Sequence, residues 1–132
     1  MSVTVVDASA IAAVLFMEPE GEALLPRLSG RLIAPLLLPY ELANVCRQKM
    51  RRQPGPAAVW LERFRALPGV GIELLPTDFD ALPELAAQHG LTAYDAAYLQ
   101  LALVQRAPLV TLDARLAQVW TKAAAFSKDP CR

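Results

Sequence analysis

Four carboxylates sit where the surrounding pattern calls for apolar or neutral residues. Asp7 ends the run Val3-Thr4-Val5-Val6, and Asp113 ends Pro108-Leu109-Val110-Thr111-Leu112. Glu41 interrupts Leu36-Leu37-Leu38-Pro39-Tyr40-Glu41-Leu42-Ala43, and Asp95 lies in Thr92-Ala93-Tyr94-Asp95-Ala96-Ala97-Tyr98-Leu99. Burying one carboxylate is costly, and burying several near one another is prohibitive without cations. If the four converge, the natural compensation is a hard divalent cation, and such ions favour phosphate chemistry.

Each acid also has an ordinary explanation. Asp7 and Asp113 each follow an apolar strand-like run and precede a helix-like one. In open α/β sheets ligands bind outside the carboxyl ends of strands, so both side chains would face one crevice. Asp is equally a preferred N-cap, and the two roles are compatible at a strand end. Thr92 and Asp95 have the spacing of a capping box. Against capping alone, the helix that Asp95 starts continues Ala96, Ala97, Tyr98, Leu99, Leu101 and Ala102, which leaves little polar face. Glu41 has Leu37, Leu38, Asn44 and Val45 as its helical neighbours, so it borders an apolar face or is a solvated surface glutamate. Arg47, Lys49, Arg51 and Arg52 cluster at the end of the same helix, with Arg63 and Arg65 on the next. They read as a solvated helix end or as phosphate-positioning cations.

The whole chain bounds these options. With 132 residues and 55% hydrophobic composition, one domain spanning 1–132 with a real core is expected. Lys plus Arg and Asp plus Glu are both 13, which argues against a charge-driven nucleic-acid binder but leaves room for a local basic patch. Cys46 and Cys131 are not a CxxC pair and His89 is the one histidine, so zinc fingers and thiol–disulfide chemistry are excluded. Cys46 is expected to pack as a small apolar residue in a reducing cytoplasm. The most apolar stretch, Leu32 to Leu38, is short and broken by Pro35, so no membrane span is expected. The N-terminal run lacks a basic region and is cut by Asp7, so no signal peptide is read.

Periodicity places the elements that position the acids. Strands are predicted at 2–6, 31–34, 71–75 and 109–112. Helices are predicted at 8–17, 21–28, 37–52, 57–67, 78–89, 92–106 and about 114–124. The Pro54-Gly55-Pro56 stop and Gly90 bound two of them. The segment 126–132 has no clear assignment. Strands alternating with helices predict an α/β fold, with a central parallel sheet of four to five strands flanked by helices on both faces.

Taken together, the order of these blocks resembles the PIN-domain ribonucleases, especially the VapC-type toxins of bacterial toxin–antitoxin pairs. Val5-Val6-Asp7-Ala8-Ser9 is similar to the family's opening strand, and Tyr40-Glu41-Leu42-Ala43-Asn44-Val45 to its glutamate-bearing helix. Thr92-Ala93-Tyr94-Asp95-Ala96-Ala97-Tyr98 and Leu109-Val110-Thr111-Leu112-Asp113-Ala114-Arg115-Leu116 resemble the segments holding the third and fourth acids. The segment after the last helix departs from the family's usual final strand.

The resemblance implies an endoribonuclease dependent on Mg²⁺ or Mn²⁺, with Asp7, Glu41, Asp95 and Asp113 as catalytic and metal-binding residues. Ser9 and Thr111 would hydrogen-bond the carboxylates from behind. Arg47, Lys49, Arg51 and Arg52 would contact RNA. The implied partners are a small VapB-like antitoxin protein and a second copy of the chain. Two rivals remain open: a catalytically silent binding module, and a phosphotransfer or phosphatase domain using one nucleophilic Asp.

Overall fold

The computed structural model describes residues 2–127. Its central strand is β1 (Val3–Val6), flanked by β2 (Arg31–Pro35) and β4 (Leu109–Val110), with β3 (Glu73–Leu75) outside β2. The order is therefore β3-β2-β1-β4, and every pairing is parallel. Val5 pairs with Ile33 on one side and Leu109 on the other. Successive strand residues face opposite sides of a sheet. Val5 and Val6 are both fully buried, as are Ile33 with Ala34 and Leu109 with Val110, so both faces are covered. Continuous β-branched and aliphatic runs make such two-sided burial favourable.

The helices are α1 (Ala8–Leu15), α2 (Pro19–Leu24), α3 (Leu38–Arg52), α4 (Ala57–Arg65), α5 (Leu82–His89), α6 (Ala93–Gln105) and α7 (Ala114–Ser127). Short 3₁₀ turns at Leu25–Arg27 and Leu67–Val70 finish what the sequence predicts as longer helices. Apolar α6 packs across β1, β2 and β4, with α5 and α7 beside it, while α1 packs on α2 and α3. Its buried Ala96, Ala97, Leu99 and Ala102 explain the thin polar face.

Four strands form among the described residues, and their positions match the predicted ones to within two residues at each end. One helix starts four residues later than predicted. Asp78 Oδ1 accepts the Asp80 N–H, and the Gln100 side-chain amide bonds both the N–H and the carbonyl of Asp78. That clamp holds 78–81 as a turn, and α5 begins at Leu82. Phe126 and Ser127 belong to α7, while the rest of the unassigned 126–132 segment lies outside the described residues. No helix among the described residues is long and apolar enough to cross a membrane.

A tight backbone approach lies between α1 and α2. A Cβ built on Gly21 would stand 2.4 Å from the Ala13 carbonyl oxygen. A backbone atom cannot swing aside as a side-chain end can. Gly21→Ala is expected to destabilise by about 1–3 kcal/mol through forced separation of the two helices. Gly55→Ala, with nothing within 4 Å, should stay within about 0.5 kcal/mol. Denaturant midpoints of the two variants check this.

Candidate active site

The sheet order reverses between β1 and β4, because β2 and β3 lie to one side of β1 and β4 to the other. Their carboxyl ends carry Asp7 and Thr111–Asp113, at the crevice where α/β sheets bind ligands. The N-terminal turns of α3 and α6 bring Glu41 and Asp95 to the same end.

Asp7 is 5% exposed. Its Oδ1 accepts the Ala10 N–H at 3.0 Å, capping α1, and the Ser9 hydroxyl at 2.7 Å. Its Oδ2 accepts the Thr111 hydroxyl. The hydroxyls are themselves fixed: Ser9 Oγ accepts the Leu112 N–H and Thr111 Oγ1 the Asp113 N–H. Both hydroxyls expected behind the carboxylates therefore sit on Asp7. Burial raises the Asp7 pKa, these hydrogen bonds oppose the rise, and the nearby Asp113 adds to it.

Asp113 is exposed, and its Oδ1 accepts the N–H groups of Arg115 and Leu116 at the start of α7. The capping explanation is thus realised at Asp7 and Asp113, alongside their position at the crevice. At Asp95 the cap runs differently. The Thr92 hydroxyl accepts the Asp95 N–H at 3.1 Å, and the returning bond from the Thr92 N–H to the Asp95 carboxylate is absent among the described residues. Burial, then Asp113 and Asp7, raise the Asp95 pKa, while Thr92 and Arg115 pull it down.

Glu41 is half-buried and receives the Tyr98 hydroxyl on Oε1 at 2.6 Å. Its pKa is raised by burial first, with Asp95 and Asp7 adding to it against the Tyr98 bond. Tyr98 is 1% exposed, and its own pKa is pushed far up by burial and by Glu41. Sequence reasoning placed Tyr98 in the apolar helix and assigned it no partner. The available signal was general: a buried tyrosine needs an acceptor for its hydroxyl.

Three acids therefore carry raised pKa values, and each names other acids among the causes. Yet no three acidic, histidine or cysteine side chains among the described residues stand close enough to enclose an ion by themselves. The two observations agree if the acids ring a space instead of closing on it. Glu41 and Asp113 each use one oxygen in a protein hydrogen bond, which leaves Oε2 and Oδ2 for another partner. Magnesium suits such a ring, since it keeps several waters and needs one or two direct carboxylates.

The basic cluster on α3 is divided. Lys49 is half-buried, bridges Glu18 at 2.7 Å and lies over the Phe16 and Trp60 rings. Arg51 and Arg52 are exposed and line a depression of about 270 Å³ with Gln48, and Arg47 is exposed on the same helix. Arg63 is drawn to the Phe16 carbonyl and the Trp60 ring. Cys46 is buried as expected, with its thiol against the Trp60 carbonyl.

The raised acids give a pH signature with a definite sign. A carboxyl whose folded pKa exceeds its unfolded one binds protons more tightly when folded. Its contribution is then favourable at low pH and lost as pH rises from the ordinary value, 3.8 for Asp95, through the folded pKa. Metal-free protein is expected to lose that part of its stability over this window, and Asp95→Asn to flatten the loss. At neutral pH, metal-free Asp95→Asn should match or exceed wild type, while Thr92→Ala, which removes the cap itself, should cost about 1 kcal/mol. Denaturation of the metal-free proteins across pH measures both, and a drop of that size in Asp95→Asn would return its carboxylate to a capping role.

Comparison with known proteins follows the same lines. The pattern of the PIN domain family matches residues 4–121. The crystal structure of PAE2754 from Pyrobaculum aerophilum superposes with a TM-score of 0.73, covering 96% of this chain and 95% of that one at 22% identity. At that identity the likeness speaks for the fold alone. No curated protein matches the sequence.

Proposed function

We propose that this chain, which belongs to the PIN domain family, is a divalent-metal-dependent endoribonuclease of the VapC toxin type. PIN domains are in general metal-dependent nucleases, so nuclease-type function follows from the family. The metal-dependent reading rests on one observation: four carboxylates gather at the carboxyl ends of β1 and β4, and three have raised pKa values caused partly by neighbouring acids. A protein retains such mutual repulsion where a cation offsets it.

In this reading Asp7, Glu41, Asp95 and Asp113 hold Mg²⁺ or Mn²⁺. The bound ion would lower the pKa of water and offset charge on the scissile phosphate. Asp7 is the rigid anchor, since three protein donors fix it before any ion arrives. Glu41, held by Tyr98 through one oxygen, offers the other to the attacking water and is tuned upward to take its proton. Arg51 and Arg52, with Arg47, are the exposed cations placed to follow an RNA strand, while Lys49 is committed to Glu18. The proposed domain spans 1–132, acting in the cytoplasm.

On purified chain, Mg²⁺ or Mn²⁺ is expected to raise the melting temperature, and chelator to abolish RNA cleavage. Asp7→Asn should lower cleavage by on the order of a thousandfold or more while the protein stays folded. Full cleavage in excess EDTA would overturn the metal reading. A folded chain that cuts no RNA with either ion would favour the silent binding module.

The toxin reading implies an inhibitory partner. Tyr40, Tyr94 and Leu112, each immediately before an acid in the chain, are 80%, 63% and 41% exposed. Aromatic and aliphatic side chains beside carboxylates suit an amphipathic helix from a small VapB-like antitoxin, bringing a basic side chain to the acids. A homodimer would use other apolar surface, of which Met17 and Val104 are exposed examples. Co-expression with the neighbouring small open reading frame should give co-purification and suppressed cleavage. A chain that stays active and monomeric beside that protein is a stand-alone nuclease.

A further inference from the structure

One cation near the acids has no protein partner among the described residues. Arg115 is the second residue of α7, exposed, on the wall of a cleft of about 170 Å³. The cleft is also lined by Thr92, Asp95 and Asp113. Arg115 is close enough to Asp95 for its charge to be felt there, yet it forms no ion pair with Asp95 or Asp113 among the described residues. A guanidinium within reach of two carboxylates ordinarily closes onto one of them.

Its position has a steric basis. Gly90 ends α5 in the left-handed region, with φ +63°, and a Cβ there would stand 2.7 Å from Arg115 Nη2. The guanidinium thus lies over the one residue type that leaves it room. It lies against the end of α5, in the cleft that Asp95 and Asp113 also line. Arg31, Lys49 and Arg63 instead spend their donors on Glu73, Glu18 and the Phe16 carbonyl.

We infer that Arg115 grips a backbone phosphate of the nucleic-acid strand, next to the linkage that the acids address. Its fork of N–H donors matches two phosphate oxygens. A guanidinium and carboxylates in the same cleft would orient the strand, with one phosphate on the guanidinium and its neighbour over the acids. Arg115 is a substrate-positioning residue, and it gives a neutral protein a cation at the place where the acids would repel RNA. The inference rests on the nuclease reading above.

The test uses a short single-stranded oligoribonucleotide and the intact chain. In an Asp7→Asn background with Mg²⁺, which keeps the strand uncut, binding is measured against salt with and without Arg115→Ala. Loss of one phosphate contact should flatten the log–log slope by about 0.7 and weaken binding about tenfold. Arg115→Lys should keep most of the slope but not all of the affinity. In the Asp7-containing enzyme, Arg115→Ala should raise KM about tenfold with kcat retained. An unchanged slope and KM would overturn the inference while leaving the nuclease reading intact. A loss confined to kcat would move Arg115 to the scissile phosphate and also overturn it. No cleavage by the parent chain, together with a slope that still depends on Arg115, would sink the nuclease reading alone.

Discussion

A single buried carboxylate organises this end of the molecule. Asp7 leaves the central strand with only 5% exposure, and burial of that kind is tolerated only when hydrogen bonds replace water. Its donors come from two distant parts of the chain, Ser9 and Ala10 on α1 and Thr111 after β4. Thr111 and Ser9 then accept the Asp113 and Leu112 amides, so the β4–α7 turn is fixed through the carboxylate it faces. Asp113 in turn starts α7, which carries Arg115. Position passes from one buried oxygen pair to the rest of the site.

That economy explains why capping and site-forming explanations need not compete. A helix that starts at a strand's carboxyl end needs an acceptor for its first amides, and the crevice lies at the same place. Asp7 and Asp113 meet the first need with one oxygen and keep an oxygen turned to other partners. The cost is electrostatic. Each of Asp7, Glu41 and Asp95 has its pKa raised by a neighbouring acid as well as by burial. The folded, metal-free protein holds like charges together, the kind of local strain that functional sites retain at the expense of stability.

Much of this was legible in the chain. The four parallel strands and most helix starts follow from β-branched runs and proline–glycine stops, because those signals act within a few residues. The acids stood out because each interrupts an apolar pattern. What did not show was pairing across distance. The Tyr98–Glu41 bond joins residues 57 positions apart, and nothing local marks it. Lys49 looked like one of four equivalent cations until Phe16, Trp60 and Glu18 folded against it. The late start of α5 depends on Gln100, 22 positions away from Asp78. In each case a tertiary contact decided between options that local propensity left equal.

Helix α3 shows how fold and proposed function share the same charges. Its acid, Glu41, lies in the first turn, and Lys49, Arg51 and Arg52 lie in the last. That arrangement complements the helix dipole at both ends and stabilises the helix with or without RNA. The 11 residues from Glu41 to Arg52 rise about 16 Å at 1.5 Å each. A strand cut beside Glu41 could then be gripped by Arg51 and Arg52 further along, while Arg115 held it within one linkage of the acids. Both cation sites would add affinity and salt dependence, the distant pair further along the strand and the near one beside the acids.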